Sequence, residues 1–489
     1  MIAALHFKFK HDVEAYKKEL IAKGEKLTIA EWIPRSSANG NAARVFMERV
    51  RPISEIRTDH HPSMMRMVAE GRAEASWKSD ENYDLDFKRR TNVWEINRKD
   101  FEENAQALAE LREAIDKGEM IFPVAYEQGF HAQLPHLARV KQGVVWLLDC
   151  MVNDLHGGNK TDAAANLKAA LQFQKNYKGE PFLISHLVRI ACLNVSFSAT
   201  WEALQNSNWT DDNLKDFQED WAAIPFGNLD EVLSMERAMG IRMIAEARET
   251  GQDPQETMIG GSTTTVLDDL NEFKAEILND PKAAFNALLN QPNKSLWKWV
   301  KSYQDELNLL KMWQSGLKAS REIEKTQAYQ PAMNKLREEL KTKETEDDDF
   351  LFGDSKTIVS GTFSKIVSAK IAQQLALTAC ALERFKLENK RYPNDLKELV
   401  PKILVSIPSD PIDGQPLRYQ LNSDGTFLLY SVGENGVDDG GDVKRAKSSS
   451  DGKWIRPRHP IYGRDWVWPL PGTEEQIADW ERHESGKAK

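Results

Sequence analysis

Apolar positions recur at three- and four-residue steps over most of the chain, the signature of amphipathic helices. Phe101, Ala105, Leu108, Leu111 and Ile115 mark one such face in a helix beginning near Lys99. A second helix is predicted over 134–155. A third follows Asn159-Lys160-Thr161, with Ala164, Leu167 and Leu171 in step. Residues 181–205 are apolar almost all round (Leu183, Ile184, Leu187, Ile190, Leu193, Val195 and Phe197), which predicts a central, buried helix. Thr210 then caps a helix carrying Leu214, Phe217, Trp221 and Ile224, and another spans 229–250. The spacing predicts further helices over 267–278, 282–289, 295–314 and 328–341, and a long one over 362–389. Short polar turns join them as hairpins. The Gly157–Gly158–Asn159 hairpin is similar to a tetratricopeptide unit, but no strict period repeats.

The two ends of the chain read differently. Residues 9–24 predict a helix ending near Gly24, and Thr28 caps a short one through Trp32, stopped by Pro34. Residues 35–97 are mixed, with short strands expected between Asp80 and Asn97. After Tyr392-Pro393 a short helix leads to two alternating segments, 417–421 and 426–432, and Asn422-Ser423-Asp424-Gly425 between them reads as a hairpin turn. Trp454, Trp466, Trp468 and Trp480 stand among prolines, which predicts an extended tail anchored by its tryptophans. The fold class is therefore mainly α: a helical-hairpin body, then a long helix and a small α+β C-terminal module. The predicted division is 1–97, 98–350, 351–450 and 451–489. The acidic run Lys343–Asp349 gives an exposed boundary.

Composition narrows the function. With 489 residues, 41% hydrophobic and 29% charged, the chain is that of an ordinary globular protein. A net charge of -10 argues against nucleic acid as a partner, because phosphate binding needs a basic face. Cys150, Cys192 and Cys380 lie far apart in apolar contexts and read as buried small hydrophobes. No run of about 18 apolar residues is present to span a bilayer. Met1-Ile2-Ala3-Ala4-Leu5, followed by His6, Lys8 and Lys10, leaves two readings open: the end of a membrane anchor lying upstream of Met1, or a frayed terminus.

The chemistry concentrates near the C-terminus. Val432-Gly433-Glu434-Asn435-Gly436-Val437-Asp438-Asp439-Gly440-Gly441-Asp442 packs carboxylates and amides among glycines that let the backbone turn sharply. Hard cations take six to eight oxygens, so this composition suits calcium rather than zinc. The same residues also build ordinary turns. Elsewhere, Gly260-Gly261-Ser262-Thr263 lacks the Lys-Ser/Thr of a phosphate loop and reads as a linker. His131 and His136 are five apart and miss the HExxH spacing, and no GxSxG elbow occurs.

Two resemblances add to this reading. The order long helix, Arg391-Tyr392-Pro393, Leu399-Val400-Pro401, Asp410-Pro411-Ile412-Asp413-Gly414-Gln415-Pro416-Leu417-Arg418-Tyr419, hairpin, Tyr430-Ser431-Val432-Gly433-Glu434-Asn435-Gly436 resembles the globular part of the major pseudopilin of type II secretion systems. It covers about residues 365–443. It implies calcium held by the side chains of Asn435, Asp438, Asp439 and Asp442 and the backbone carbonyls of Val432 and Val437. The apolar assembly helix of that family is replaced here by an amphipathic helix inside the chain, which counts against a pilus-like fibre. Gly179–Ala191, Leu27–Glu31 and Ala381–Pro393 are similar to an uncharacterised planctomycete and verrucomicrobial family. Its members carry an N-terminal membrane anchor and an extracytoplasmic helical body. The expectation is a non-enzymatic, extracytoplasmic scaffold or interaction protein with a protein partner and a calcium-stabilised C-terminal module. The alternative is an enzyme, a hydrolase by class, with a site between the helices that gathers His131, His136 or His186 with a carboxylate.

Overall fold

A computed structural model of the protein describes residues 2–33, 41–53, 64–78, 82–83, 90–91, 93–250, 297–341, 355–444 and 463–487. The predicted helices at 267–278 and 282–289, the linker glycines, the 343–349 run, His60, His61 and Trp454 lie outside the described residues. The fold is mainly helical with small sheets.

The body is a stack of helical hairpins. Helix α1 is Ile2–Ala22, α2 is Asn41–Ile53, α3 is Val93–Glu103 and α4 is Ala105–Asp116. Helices α5 (His136–His156), α6 (Lys160–Asn176) and α7 (Leu183–Leu204) follow, then α8 (Asp211–Ala223) and α9 (Leu229–Thr250). The predicted boundaries of α5, α7 and α9, and the predicted starts of α6 and α8, agree with these within two residues. Helix α7 is central, as its all-round apolar surface predicts: it packs on α5, α9 and the long helix α12, Ser355–Asn389. It is also the one described helix long and apolar enough to cross a membrane, but Arg189 and Glu202 lie buried in the core with it. Helices α10 (Ser302–Thr326) and α11 (Tyr329–Lys341) form a hairpin, and α10 packs on α9 and α1.

Several expectations need correction. The first helix starts at Ile2, not residue 9, and α12 starts at Ser355, not 362. The helix expected across 99–115 breaks at Asn104. Its amide donates to the Asp100 carbonyl at 2.7 Å, and its backbone leaves the helical region. Helix α2 was not foreseen. Neither was the hairpin of β1 (Arg66–Ala69) and β2 (Arg72–Glu74), whereas β3 (Asn82–Tyr83) and β4 (Arg90–Thr91) do pair in the expected region.

At the other end, β5 (Arg418–Leu421) and β6 (Phe427–Ser431) pair antiparallel about the expected turn. The tail is more than an extended cover. Strand β7 (Trp466–Val467) extends the β5–β6 sheet, and β8 (Leu470–Pro471) runs parallel to β2, so one short segment completes both sheets. Its anchors are tryptophans, as expected. Trp466 and Trp468 are buried, and the Trp468 ring meets Phe197 edge-on at 5.1 Å. Trp480, by contrast, sits in a terminal helix, α13 (Glu474–Lys487), with Arg66 over its ring at 4.7 Å.

Candidate functional site

The C-terminal loop leaves the end of β6 through Gly433, whose φ is +65°. A Cβ there would meet the Arg464 carbonyl oxygen at 2.1 Å, so only glycine lets the loop pass the tail. The six residues implied as calcium ligands lie along this loop, most of them with partners within the chain. Val432 is buried, and its amide donates to Asp410 Oδ2 at 2.9 Å. Asn435 accepts from the Val437 amide at 3.1 Å and donates to Asp439 Oδ2 at 2.8 Å. Val437 is 55% exposed at the loop surface. Asp438 accepts from the Tyr430 hydroxyl at 2.9 Å and the Gly440 amide at 3.1 Å, with Arg418 Nε at 3.5 Å. Asp442 accepts from the Lys444 amide at 2.9 Å and pairs with Arg464 at 3.5 Å.

Each carboxylate therefore already has a protein donor. Among the described residues no group of three or more His, Cys, Asp or Glu side chains is arranged to hold a metal ion. Calcium needs its oxygens gathered at one point. In this arrangement the loop carboxylates bond to the chain's own donors.

Three residues outside that set hold the loop. Arg418 is the local cation. Its guanidinium reaches Asp413 at 2.5 Å, Asp410 at 3.2 Å and Asp438 at 3.5 Å. Asp410, fully buried, accepts from the amides of Ile412 and Val432 at 2.9 Å each and from the Ser431 hydroxyl at 2.8 Å. Asp465, also fully buried, accepts from the amides of Gly441 at 2.7 Å, Asp442 at 3.3 Å and Asp439 at 3.4 Å. Burial pushes the Asp465 carboxyl up, and the three amides offset part of that. For Asp438, burial also pushes up, but the Gly440 amide, the Tyr430 hydroxyl and Arg418 outweigh it and hold the carboxyl low. The Asp-Pro turn signalled Asp410, whereas nothing local signals Asp465, which arrives from the far side of the tail.

Of His131, His136, His156 and His186, two are buried, one is half-buried at a helix end and one lines a cavity. His136 stacks on Phe122 at 4.6 Å, and its Nε2 lies 2.9 Å from Glu180 Oε1. The Tyr177 hydroxyl donates to the other Glu180 oxygen at 2.9 Å. All three are buried. Burial pushes the Glu180 carboxyl up, but the His136 contact, with Ser185 and a backbone bond, outweighs it and holds the carboxyl low. His186 is buried too, and burial with the nearby Arg189 charge lowers its pKa to about 4. Its ring lies under the turn after α8, where a Cβ on Gly227 would stand 2.2 Å from the ring carbon Cε1. Arg189 holds the same turn through the Pro225 carbonyl at 2.7 Å. The Gly179–Ala191 motif is thus an internal brace. His156 ends α5 with its ring stacked on Trp94 at 4.1 Å.

His131 alone of these lines open space, a half-open cavity of about 340 Å³ shared with Arg242 and Glu246. Arg242 is committed there to Glu246 at 2.6 Å and to the Glu127 carbonyl. Cys150, Cys192 and Cys380 are buried free thiols, as their contexts predict, and burial pushes all three thiols up, away from reactive thiolate. Neither a protein-family model, nor a curated protein, nor a solved structure matches the chain.

Proposed function

We propose that the chain is a non-enzymatic interaction protein that presents its C-terminal loop to a protein partner from a rigid helical scaffold. The observation behind this reading is how firmly the C-terminal module is joined to the body. The first two amides of α11 donate to the Pro411 and Ile412 carbonyls, both at 2.9 Å, so helix donors with no partner inside α11 are met by the module. Gln330 donates to the Asn435 carbonyl at 3.2 Å, and Ser364 on α12 bonds Glu434. On the far side, Gln218 of α8 donates to the Ile403 carbonyl at 2.9 Å. A loop held at both ends loses little freedom on binding, which favours affinity. Its outward residues, Glu434, Asn435, Val437 and Asp438, are exposed and combine charge with an apolar tip. The extracytoplasmic setting belongs to this proposal and rests on the resemblance alone.

The test is a photo-crosslinking residue at Val437, with a control on the exposed Lys335 of α11. A discrete adduct from position 437 that is missing from 335 is the expected result. Equal or absent adducts at both positions would remove the loop as the interaction surface.

The loop's internal pairing makes a separate prediction. Because Asp438, Asp439 and Asp442 are already held by chain donors, the melting temperature should differ by no more than about a degree between millimolar calcium and a chelator. A calcium-dependent rise of several degrees, lost in Asp438→Ala/Asp442→Ala, would show instead that the ion displaces those donors.

A further inference from the structure

Between the helical body and the C-terminal module lies a second cavity, of about 460 Å³. Phe226, Phe363 and Ile366 give it apolar walls, and Ser409 and Pro411 of the module close one side. Into this space α12 directs Lys370. The lysine is itself half-buried, beside Ala369, Ile371 and Ala372, which are at most 1% exposed. A leucine or methionine would fill such a position without desolvating a charge. Among the described residues the amine meets the Phe226 ring, 5.7 Å away, and has no carboxylate within 4.0 Å. Burial lowers its pKa, and Glu324 on the rim offsets only part of that.

The walls are fixed before any ligand arrives. His186 and Arg189 brace the turn carrying Phe226 from behind, as described. From α12, the Gln373 amide donates to the Trp221 carbonyl at 2.6 Å and the Ile224 carbonyl at 3.0 Å. A cavity with apolar walls, a preset shape and one underused cation has the features of a small-molecule site.

We propose that this cavity binds a small organic monoanion, a carboxylate with an apolar body, its carboxylate on Lys370 Nζ and its body against Phe226, Phe363 and Ile366. The single charge follows from the lining. Lys370 is the one cation among the lining residues, and Glu324 repels a second negative group. A carboxylate on the amine replaces the hydration that burial removed, and the body covers apolar wall. This inference does not depend on the loop's role as an interaction surface, and the two can fail separately.

Titration calorimetry of the full chain with octanoate and with the neutral 1-octanol tests it. Saturable one-to-one octanoate binding is expected, at least tenfold tighter than octanol, and Lys370→Met should reduce octanoate to the octanol level. Absent octanoate binding, or binding unchanged in the variant, would overturn the proposal. Should the variant not fold, the wild-type protein still gives an answer. Octanoate should protect Lys370 from trinitrobenzenesulfonate, read by peptide mass, while lysines on the outer surface such as Lys335 stay reactive. Equal labelling of Lys370 with and without octanoate would overturn it as well.

Discussion

Glu25→Ala is expected to destabilise the protein by about 3–5 kcal/mol, seen as a lower midpoint in denaturant unfolding. The reason lies in what stays behind. Arg237 is wholly buried, and its Nη2 lies 2.9 Å from Glu25 Oε2. Gln314 donates to Glu25 Oε1 at 2.9 Å and accepts from Arg237 at 2.5 Å. Arg321 closes the network with two bonds to Glu25, at 2.6 and 3.2 Å, and also pairs with Asp230. Removing the carboxylate strands a guanidinium in the core. Arg321→Ala should cost far less, about 1 kcal/mol, because that side chain is 44% exposed and leaves no buried charge unpaired. Equal losses in the two variants would refute this account of the network.

The same carboxylate gives a pH signature. Burial alone would raise its pKa, but the bonds from Arg321, Gln314 and Arg237 prevail and hold it at about 2, against an ordinary 4.5. A carboxyl held low when folded binds its proton more weakly in the native state. Its contribution is therefore complete above about 4.5 and is lost as the pH falls towards 2. Between those values wild-type stability should fall more steeply than that of Glu25→Gln. Parallel curves would mean that Glu25 does not carry the acid sensitivity.

Asp465→Ala is the second large effect, expected at about 2–4 kcal/mol. Three loop amides, those of Asp439, Gly441 and Asp442, lose their acceptor together. The Asp465 amide still bonds the Asp442 carbonyl at 3.0 Å, so the strand itself should stay in place. Damage should therefore centre on the loop. Hydrogen exchange at the Gly441 amide should speed up far more than exchange within α7. Unchanged Gly441 protection would show that the loop is held by something else. Asp439→Ala is the contrasting case, since its carboxylate accepts only from Asn435 among the bonds described, and it should be nearly neutral.

The contrast between these residues shows what was legible in the chain. Helix α7 announced itself because Leu, Ile, Val and Phe surround it. Helix α8 did so because Thr210 and Asn213 form a reciprocal cap, with Asn213 in the place of the usual acidic or glutamine residue. These are local signals, written within four residues. One such signal went unread: Thr473 and Gln476 exchange bonds at 3.0 and 3.3 Å, a cap that starts α13 where prolines and tryptophans suggested only extended chain. Asp465 and Lys370 are different in kind. The donors that define Asp465 lie more than twenty residues back. Lys370 reads as the polar edge of an amphipathic stripe until the turn after α8 is placed over it. The C-terminal loop is a related case. Residue types told of oxygen-rich composition, but not that Arg418, five residues after Asp413, would lie beside Asp438.

The tail segment that completes both sheets has a consequence for how the protein is made. Strand β2 emerges early in synthesis but has no partner on its outer edge until Leu470 and Pro471 appear. Strand β6 likewise waits for Trp466 and Val467. During translation the nascent chain therefore carries two unpaired strand edges, which invite association with other chains. A message truncated before codon 466 would leave both edges open for good, and a protease acting on the incomplete product would meet a chain whose sheets are unsealed.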